Sequence, residues 1–225
     1  MKKMNLLDQA TTPDGKLMTL NERDGVYMIR IDSLELMSSR HHNSEEKIAE
    51  IACADLKGKR SPRVLIGGLG LGYTLKSALA AAPKDAAVVV AEIMPAVIAW
   101  NRVPEYGLAG VALDDRRVLV VEADVAAVMM ERARAFDVII LDIDNGTGAK
   151  SVEANRDLYQ DAGLYTALGA LKPGGLLAVW SASDDPAFAK RMGRAGFEVK
   201  VEKVTAHVGG GGWHTLFFGR KPRAD

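Results

Sequence analysis

From Arg63 onward, short apolar runs alternate with segments of helical periodicity, and this alternation constrains the fold more than any other feature of the chain. Residues 64–66, 87–91, 118–121, 136–141 and 176–180 read as strands. Residues 87–91 are apolar throughout, as a strand covered on both faces must be. Residues 73–82, 96–102, 125–134, 154–171 and 186–195 read as helices. Pro83 stops the first, and Lys172-Pro-Gly-Gly175 stops the fourth. Strands alternating with helices build a parallel sheet with right-handed crossovers. Residues 199–204 and 213–218, separated by glycines, suit an antiparallel pair at its end. The expected core is therefore α/β, Rossmann-like, with a seven-stranded, mostly parallel sheet whose last strands are antiparallel. In such a sheet ligands sit beyond the carboxyl ends of the strands.

The segment before Arg63 has a different pattern. Residues 16–20 and 26–31 flank the turn-rich Asn21-Glu-Arg-Asp-Gly25 and predict a β-hairpin, with residues 34–37 as a third strand. Asn43-Ser-Glu-Glu46 is a capping-box pattern, with Asn43 as N-cap and Glu46 at N3. The helix it opens runs to about Leu56 and buries Ile48, Ile51, Ala52 and Leu56. The basic stretch Lys57-Gly-Lys-Arg-Ser-Pro-Arg63 reads as a solvated linker. The expected division is a small N-terminal β region over 1–42 and a helix plus nucleoside-binding catalytic domain over 43–225.

The first strand after Arg63 runs into Gly67-Gly-Leu-Gly-Leu-Gly72. Glycines there let a ligand approach the backbone, and the next helix offers its N-terminal N–H groups. The spacing Gly68-x-Gly70-x-Gly72 is tighter than the G-x-G-x-x-G of dinucleotide sites and resembles the nucleoside loop of S-adenosylmethionine-type folds. Glu92 closes the second strand, 20 residues after Gly72, where a carboxylate can accept both ribose hydroxyl hydrogens. The third strand ends in Glu122-Ala-Asp124, where an acid can meet an adenine amino group; Asp124 could equally cap the next helix.

The fourth strand delivers Asp142-Ile-Asp144-Asn145-Gly146 to the same edge. The apolar residues before Asp142 would desolvate it and raise its pKa, which suits a proton acceptor. An Asx-turn with a helix cap is the other reading of Asp142 and Asp144. No His or Cys is close in sequence, so no metal is expected. Asp184 and Asp185 follow the fifth strand, and the acids along these loops point to a cationic substrate.

Charge and cysteine content narrow the classes further. Lys and Arg number 29 and so do Asp and Glu, so the net charge is zero. A broadly basic nucleic-acid binder is thereby disfavoured, and no nucleic acid is expected as partner. One cysteine, Cys53, excludes an intrachain disulfide framework and multi-cysteine metal sites. No apolar run approaches the ~20 residues that span a bilayer, and the N-terminus lacks a signal-peptide core, so the expectation is a cytoplasmic protein that does not engage membranes. An exposed hairpin edge would suit a homodimer.

Val64-Leu-Ile-Gly-Gly-Leu-Gly-Leu-Gly72, Ala91-Glu-Ile-Met-Pro-Ala-Val-Ile98, Val121-Glu-Ala-Asp124, Asp137-Val-Ile-Ile-Leu-Asp142 and Leu171-Lys-Pro-Gly-Gly-Leu176 occur in this order. Together they resemble the spermidine synthases, polyamine aminopropyltransferases built on a class I methyltransferase fold. The resemblance implies a transferase whose donor is decarboxylated S-adenosylmethionine and whose acceptor is a small cationic amine, giving a longer polyamine and methylthioadenosine. It implies that Glu92 binds ribose, that Asp124 binds adenine and that Asp142 is the catalytic acid/base.

The chain departs from the family pattern at the amine end of the site. The family places an Asp inside the glycine loop to hold the donor's amine; this loop has none. Asn145 stands where the family has a second Asp, and of the family's Tyr-His-Glu, Ile48-Ala49-Glu50 keeps only Glu50. Asp144, Asn145 and Glu50 are therefore the candidate acceptor-binding residues. Two other readings remain open: a small-molecule methyltransferase using S-adenosylmethionine itself, and a non-catalytic nucleoside-binding homologue.

Overall fold

The computed structural model describes residues 3–32, 34–143, 146–147, 157–207 and 210–223. Four antiparallel strands open the chain in sequential order: β1 (Asn5–Thr11), β2 (Leu17–Arg23), β3 (Val26–Ile31) and β4 (Leu34–Ser38). The predicted hairpin is β2–β3. Its turn is only Asp24-Gly25, with φ of +54° and +78°. That is the two-residue turn in which both central residues take the left-handed conformation. The sequence reading missed β1, whose residues are mostly exposed and carry no apolar alternation.

Helix α1 (Asn43–Ala54) follows. Its N-cap is His42 rather than Asn43, because the Asn43 amide reaches across to donate to the Thr205 carbonyl at 2.8 Å. Cys53 is fully buried on this helix, and burial pushes its thiol up to about 12, so it stays an unreactive apolar filler.

The second sheet has the order β10-β11-β9-β8-β5-β6-β7. Its strands are β5 (Arg63–Gly67), β6 (Ala87–Glu92), β7 (Val118–Glu122), β8 (Phe136–Leu141), β9 (Leu171–Ser181), β10 (Glu198–His207) and β11 (Gly210–Arg220). β5 to β9 run parallel, while β11 is antiparallel to both its neighbours. The helices between them are α2 (Tyr73–Ala81), α3 (Pro95–Arg102), α4 (Gly110–Leu113), α5 (Val125–Met130), α6 (Asp161–Ala170) and α7 (Pro186–Arg194). The α5 segment is shorter than its apolar pattern predicts. α6 begins later than predicted, and residues 154–156 lie outside the described residues.

The period-two alternation of each central strand divides the core in two. Val64, Ile66, Val138 and Ile140 face α1 and α2, while Leu65, Ile139 and Leu141 face α5, α6 and α7. Met18, Leu20, Ile29 and Ile31 of the small sheet join the first of these layers. A hydrogen bond of 2.6 Å from the Trp100 indole to Asp8 ties β1 to α3.

The basic stretch before β5 is not only a solvated linker. The buried Asp137 carboxylate accepts from Lys59 at 3.2 Å, Lys172 at 2.6 Å and the Arg63 N–H at 2.9 Å. Burial works against its charge, yet these donors hold its carboxyl below the usual range. Among the described residues no helix is long and apolar enough to cross a membrane.

Candidate active site

β5 lies inside the sheet between β8 and β6, and its carboxyl end opens into the glycine loop. Gly68, Gly70 and Gly72 all take positive φ, at +91°, +52° and +82°. The close approach is clearest at Gly68, where a Cβ would stand 2.3 Å from the Asp142 carbonyl oxygen. Asn101 of α3 clamps the loop from behind. Its amide donates to the Gly70 carbonyl at 2.7 Å and the Val97 carbonyl at 2.9 Å, and its oxygen accepts from the Ala109 N–H at 3.0 Å. Sequence reasoning passed over this residue. The available signal was a polar side chain on the stripe of α3 that also buries Val97, Ile98 and Trp100.

Glu92 is buried, and each of its oxygens takes one backbone N–H: Leu69 at 2.8 Å and Met94 at 2.8 Å. The carboxylate therefore fixes the glycine loop and lines the cavity beside it. That cavity measures about 120 Å³ and is bounded by Gly68, Gly70, Glu92, Asp124 and Asp142. Met18, Ile29, Ile31, Leu36 and Met37 of the small sheet form its apolar wall. Asp124 caps α5 through the Ala126 N–H at 2.8 Å and also lines the cavity, so both of its expected positions coincide.

A second cavity, about 200 Å³, lies on the other side of Asp142. Its polar lining comes from Glu35, His41, Glu45, Thr74, Asp142 and His214, with the Trp180 ring beside them. Asp142 lines both cavities. Its N–H continues the β8–β5 ladder to the Gly67 carbonyl at 3.0 Å, and the Thr74 hydroxyl donates to its carboxylate. Burial raises the Asp142 carboxyl to about 6 against the opposing Thr74 bond. Glu45 is raised to about 8, first by burial and then by repulsion from Asp142. Like charges sharing a desolvated site resist double ionisation, so the pair holds a proton near neutrality.

Glu45 was not among the sequence candidates, although it is legible there. Glu45, Ile48, Ala49 and Ala52 fall at i, i+3, i+4 and i+7, on the inward stripe of α1. Glu50 lies on the outward face, exposed and paired with Lys47 at 2.6 Å, and lines neither cavity. Asp144 and Asn145 lie outside the described residues. Asp184 pairs with Lys203 at 2.7 Å and Asp185 caps α7, and neither lines the two cavities. Among the described residues no three His, Cys, Asp or Glu side chains gather as metal ligands.

The Glu45 shift has a consequence for stability. A carboxyl raised on folding binds its proton more tightly in the folded state, so its contribution falls as pH rises from about 4.5 toward about 8. Glu45→Gln removes that penalty. At roughly 1.4 kcal/mol per pKa unit, the variant is expected to be more stable than the parent by on the order of a few kcal/mol near pH 9, with the difference vanishing near pH 4. Urea unfolding at the two pH values checks this; a pH-independent difference would contradict it.

Comparison with known proteins gives a structural answer only. No protein-family model matches the sequence, and no curated protein matches it. Among solved structures, a spermidine synthase in complex with the transition-state analogue AdoDATO superposes with a TM-score of 0.75 at 18% identity, over 97% of this chain and 73% of that one. The spermidine synthase of Thermotoga maritima gives 0.73 at 19% identity, over 97% and 74%. A probable spermidine synthase from Corynebacterium glutamicum gives 0.65 at 15%, over 98% and 81%. The glycine loop, the seven-stranded order and the small leading sheet therefore belong to one architecture, and the chain has the fold of the spermidine synthases.

Proposed function

We propose that the protein is a spermidine synthase-like transferase that moves an aminopropyl group from decarboxylated S-adenosylmethionine to a small amine. The observation that carries this reading is the place of Asp142, at the junction between an apolar cavity holding Glu92 and a polar cavity holding Glu45. A nucleoside in the first cavity would set its ribose hydroxyls on Glu92 and its adenine toward Asp124. Its sulfonium carbon would then face Asp142. An amine in the second cavity would approach that carbon with its nitrogen ~3–3.5 Å away and its proton held by Asp142 as acid/base.

One observation favours a second reading, methyl transfer from S-adenosylmethionine. The glycine loop carries no acid to hold a donor amine, and at Gly70 the Met37 sulfur sits 2.7 Å from where a Cβ would stand. A thioether over a glycine offers no charge to an aminopropyl ammonium.

Calorimetric titration with S-adenosylmethionine, its decarboxylated form and methylthioadenosine separates the two. Tighter binding of the decarboxylated form supports aminopropyl transfer; tighter binding of S-adenosylmethionine selects methyl transfer. Glu92→Gln is expected to weaken all three by about tenfold or more, since a hydrogen bond to a charged group is worth roughly 1.5–3 kcal/mol. Failure of all three to bind the parent protein removes both enzyme readings.

A further inference from the structure

Behind the polar cavity, one buried hydroxyl connects three elements. The Ser44 Oγ, fully buried at the start of α1, donates to the Glu45 carboxylate. It accepts from the Trp180 indole N–H at 3.0 Å and lies 2.8 Å from His214 Nδ1. A hydroxyl has one hydrogen and two lone pairs, and an indole N–H can only donate. With one lone pair taken by Trp180, the two remaining contacts must run in the same direction. If Ser44 donates to an ionised Glu45, His214 must donate through Nδ1–H. If a protonated Glu45 donates to Ser44, the Ser44 hydrogen turns to an unprotonated Nδ1, and His214 carries its hydrogen on Nε2. The wiring thus has two states that differ by one proton on Glu45 and by the tautomer of His214.

We propose that Ser44 and His214 form a proton relay off the Asp142–Glu45 pair, carrying away the proton that the acceptor amine gives up. This rests on the transferase reading for its purpose. An ammonium between Asp142 and Glu45 yields one proton to the carboxylate pair and becomes a free amine. Its lone pair forms the N–C bond while the C–S bond of the sulfonium donor breaks, and those electrons stay on sulfur as a neutral thioether. The proton, resting on Glu45, passes to Ser44 Oγ as the Ser44 hydrogen passes to His214 Nδ1, and His214 Nε2 releases a proton to solvent. His214 is half-buried and also borders the polar cavity, so the chain of groups runs from Glu45 through the buried Ser44 to a partly exposed imidazole.

The surroundings set the resting protonation states, with the proton held on the carboxylate pair and His214 neutral, and the ammonium's proton leaves this pair only as His214 gives up its own hydrogen. Glu45 faces Asp142 beyond β8, Tyr73 of α2 and Glu46 of α1, and shares its cavity with Glu35 of β4 and His41. Burial, and then His41, hold His214 below the usual imidazole range, so it is neutral and able to accept near pH 7. The His207 ring packs against His41 at a tilt of 32°, with centroids 5.2 Å apart.

The test needs no substrate, so its failure is separate from failure of the nucleoside titrations. In the full chain labelled with ¹⁵N-histidine, long-range ¹⁵N–¹H spectra read the His214 tautomer. The expected result is Nε2–H at about pH 7 and Nδ1–H at about pH 9, on either side of the Glu45 titration. In Glu45→Gln and in Ser44→Ala the tautomer is expected not to change over this range. A tautomer that stays fixed in the parent protein, or that switches equally in both variants, would overturn the proposal.

Discussion

Asp142→Asn is expected to reduce turnover by roughly 10²–10⁴-fold while leaving methylthioadenosine affinity near that of the parent. The carboxylate touches both cavities, but its backbone position is set by the β8–β5 ladder, and an asparagine oxygen can still accept from Thr74. The substitution therefore removes charge and basicity without moving the loop. An acceptor amine near pKa 10 is almost wholly protonated at pH 7, and a neutral amide can neither attract it nor take its proton. Release of methylthioadenosine from decarboxylated S-adenosylmethionine, with a diamine as acceptor, measures the effect. Unchanged turnover in the variant would rule out the role assigned to Asp142. A parallel loss of nucleoside affinity would instead give the residue a structural role.

The second large effect is on folding. Gly72→Ala is expected to destabilise the protein by about 2–5 kcal/mol. Gly72 is the N-cap of α2 at φ +82°, where an L-residue loses roughly 1–2 kcal/mol. The added Cβ would stand 2.1 Å from the Cβ of Ala109 and 3.2 Å from its Cα. Ala109 is fully buried and its N–H is held by Asn101, so it has little freedom to retreat, and overpacking of this kind adds roughly 1–3 kcal/mol. Gly25→Ala is the control. It has a similar φ of +78° and open space around it, so it bears the backbone strain alone. Urea unfolding of the two variants isolates the clash; equal losses would mean that Ala109 yields.

The strands of the large sheet were legible from sequence because each central one is a short apolar run between turn signals, whereas their order across the sheet was not. The strand-end acids were legible for the same reason, since the fold dictates where Glu92, Asp124 and Asp142 must emerge. What escaped the sequence reading depends on contacts between elements. β1 has no apolar alternation, and its tie to α3 runs through Asp8 and Trp100, far apart in the chain. Asn43 fits a capping box, but the Thr205 carbonyl of β10 claims its side chain. Glu50 matched a family motif by alignment of letters, whereas the rotation of α1 turns Glu45 inward and Glu50 to solvent. A helical wheel of α1 would have corrected this before any coordinates.

The apolar wall over the glycine loop has a consequence for how such a protein can change. Met18, Ile29 and Ile31 both hold the small sheet against the larger one and shape the chamber beneath it. A substitution at any of them is judged twice, once by cohesion between the sheets and once by the outline presented to a ligand. Altering ligand preference from this side therefore requires paired changes that conserve volume across the seam. The polar chamber shares only Leu36 and Met37 of the small sheet with this apolar wall, so its remaining lining can vary more independently of Met18, Ile29 and Ile31.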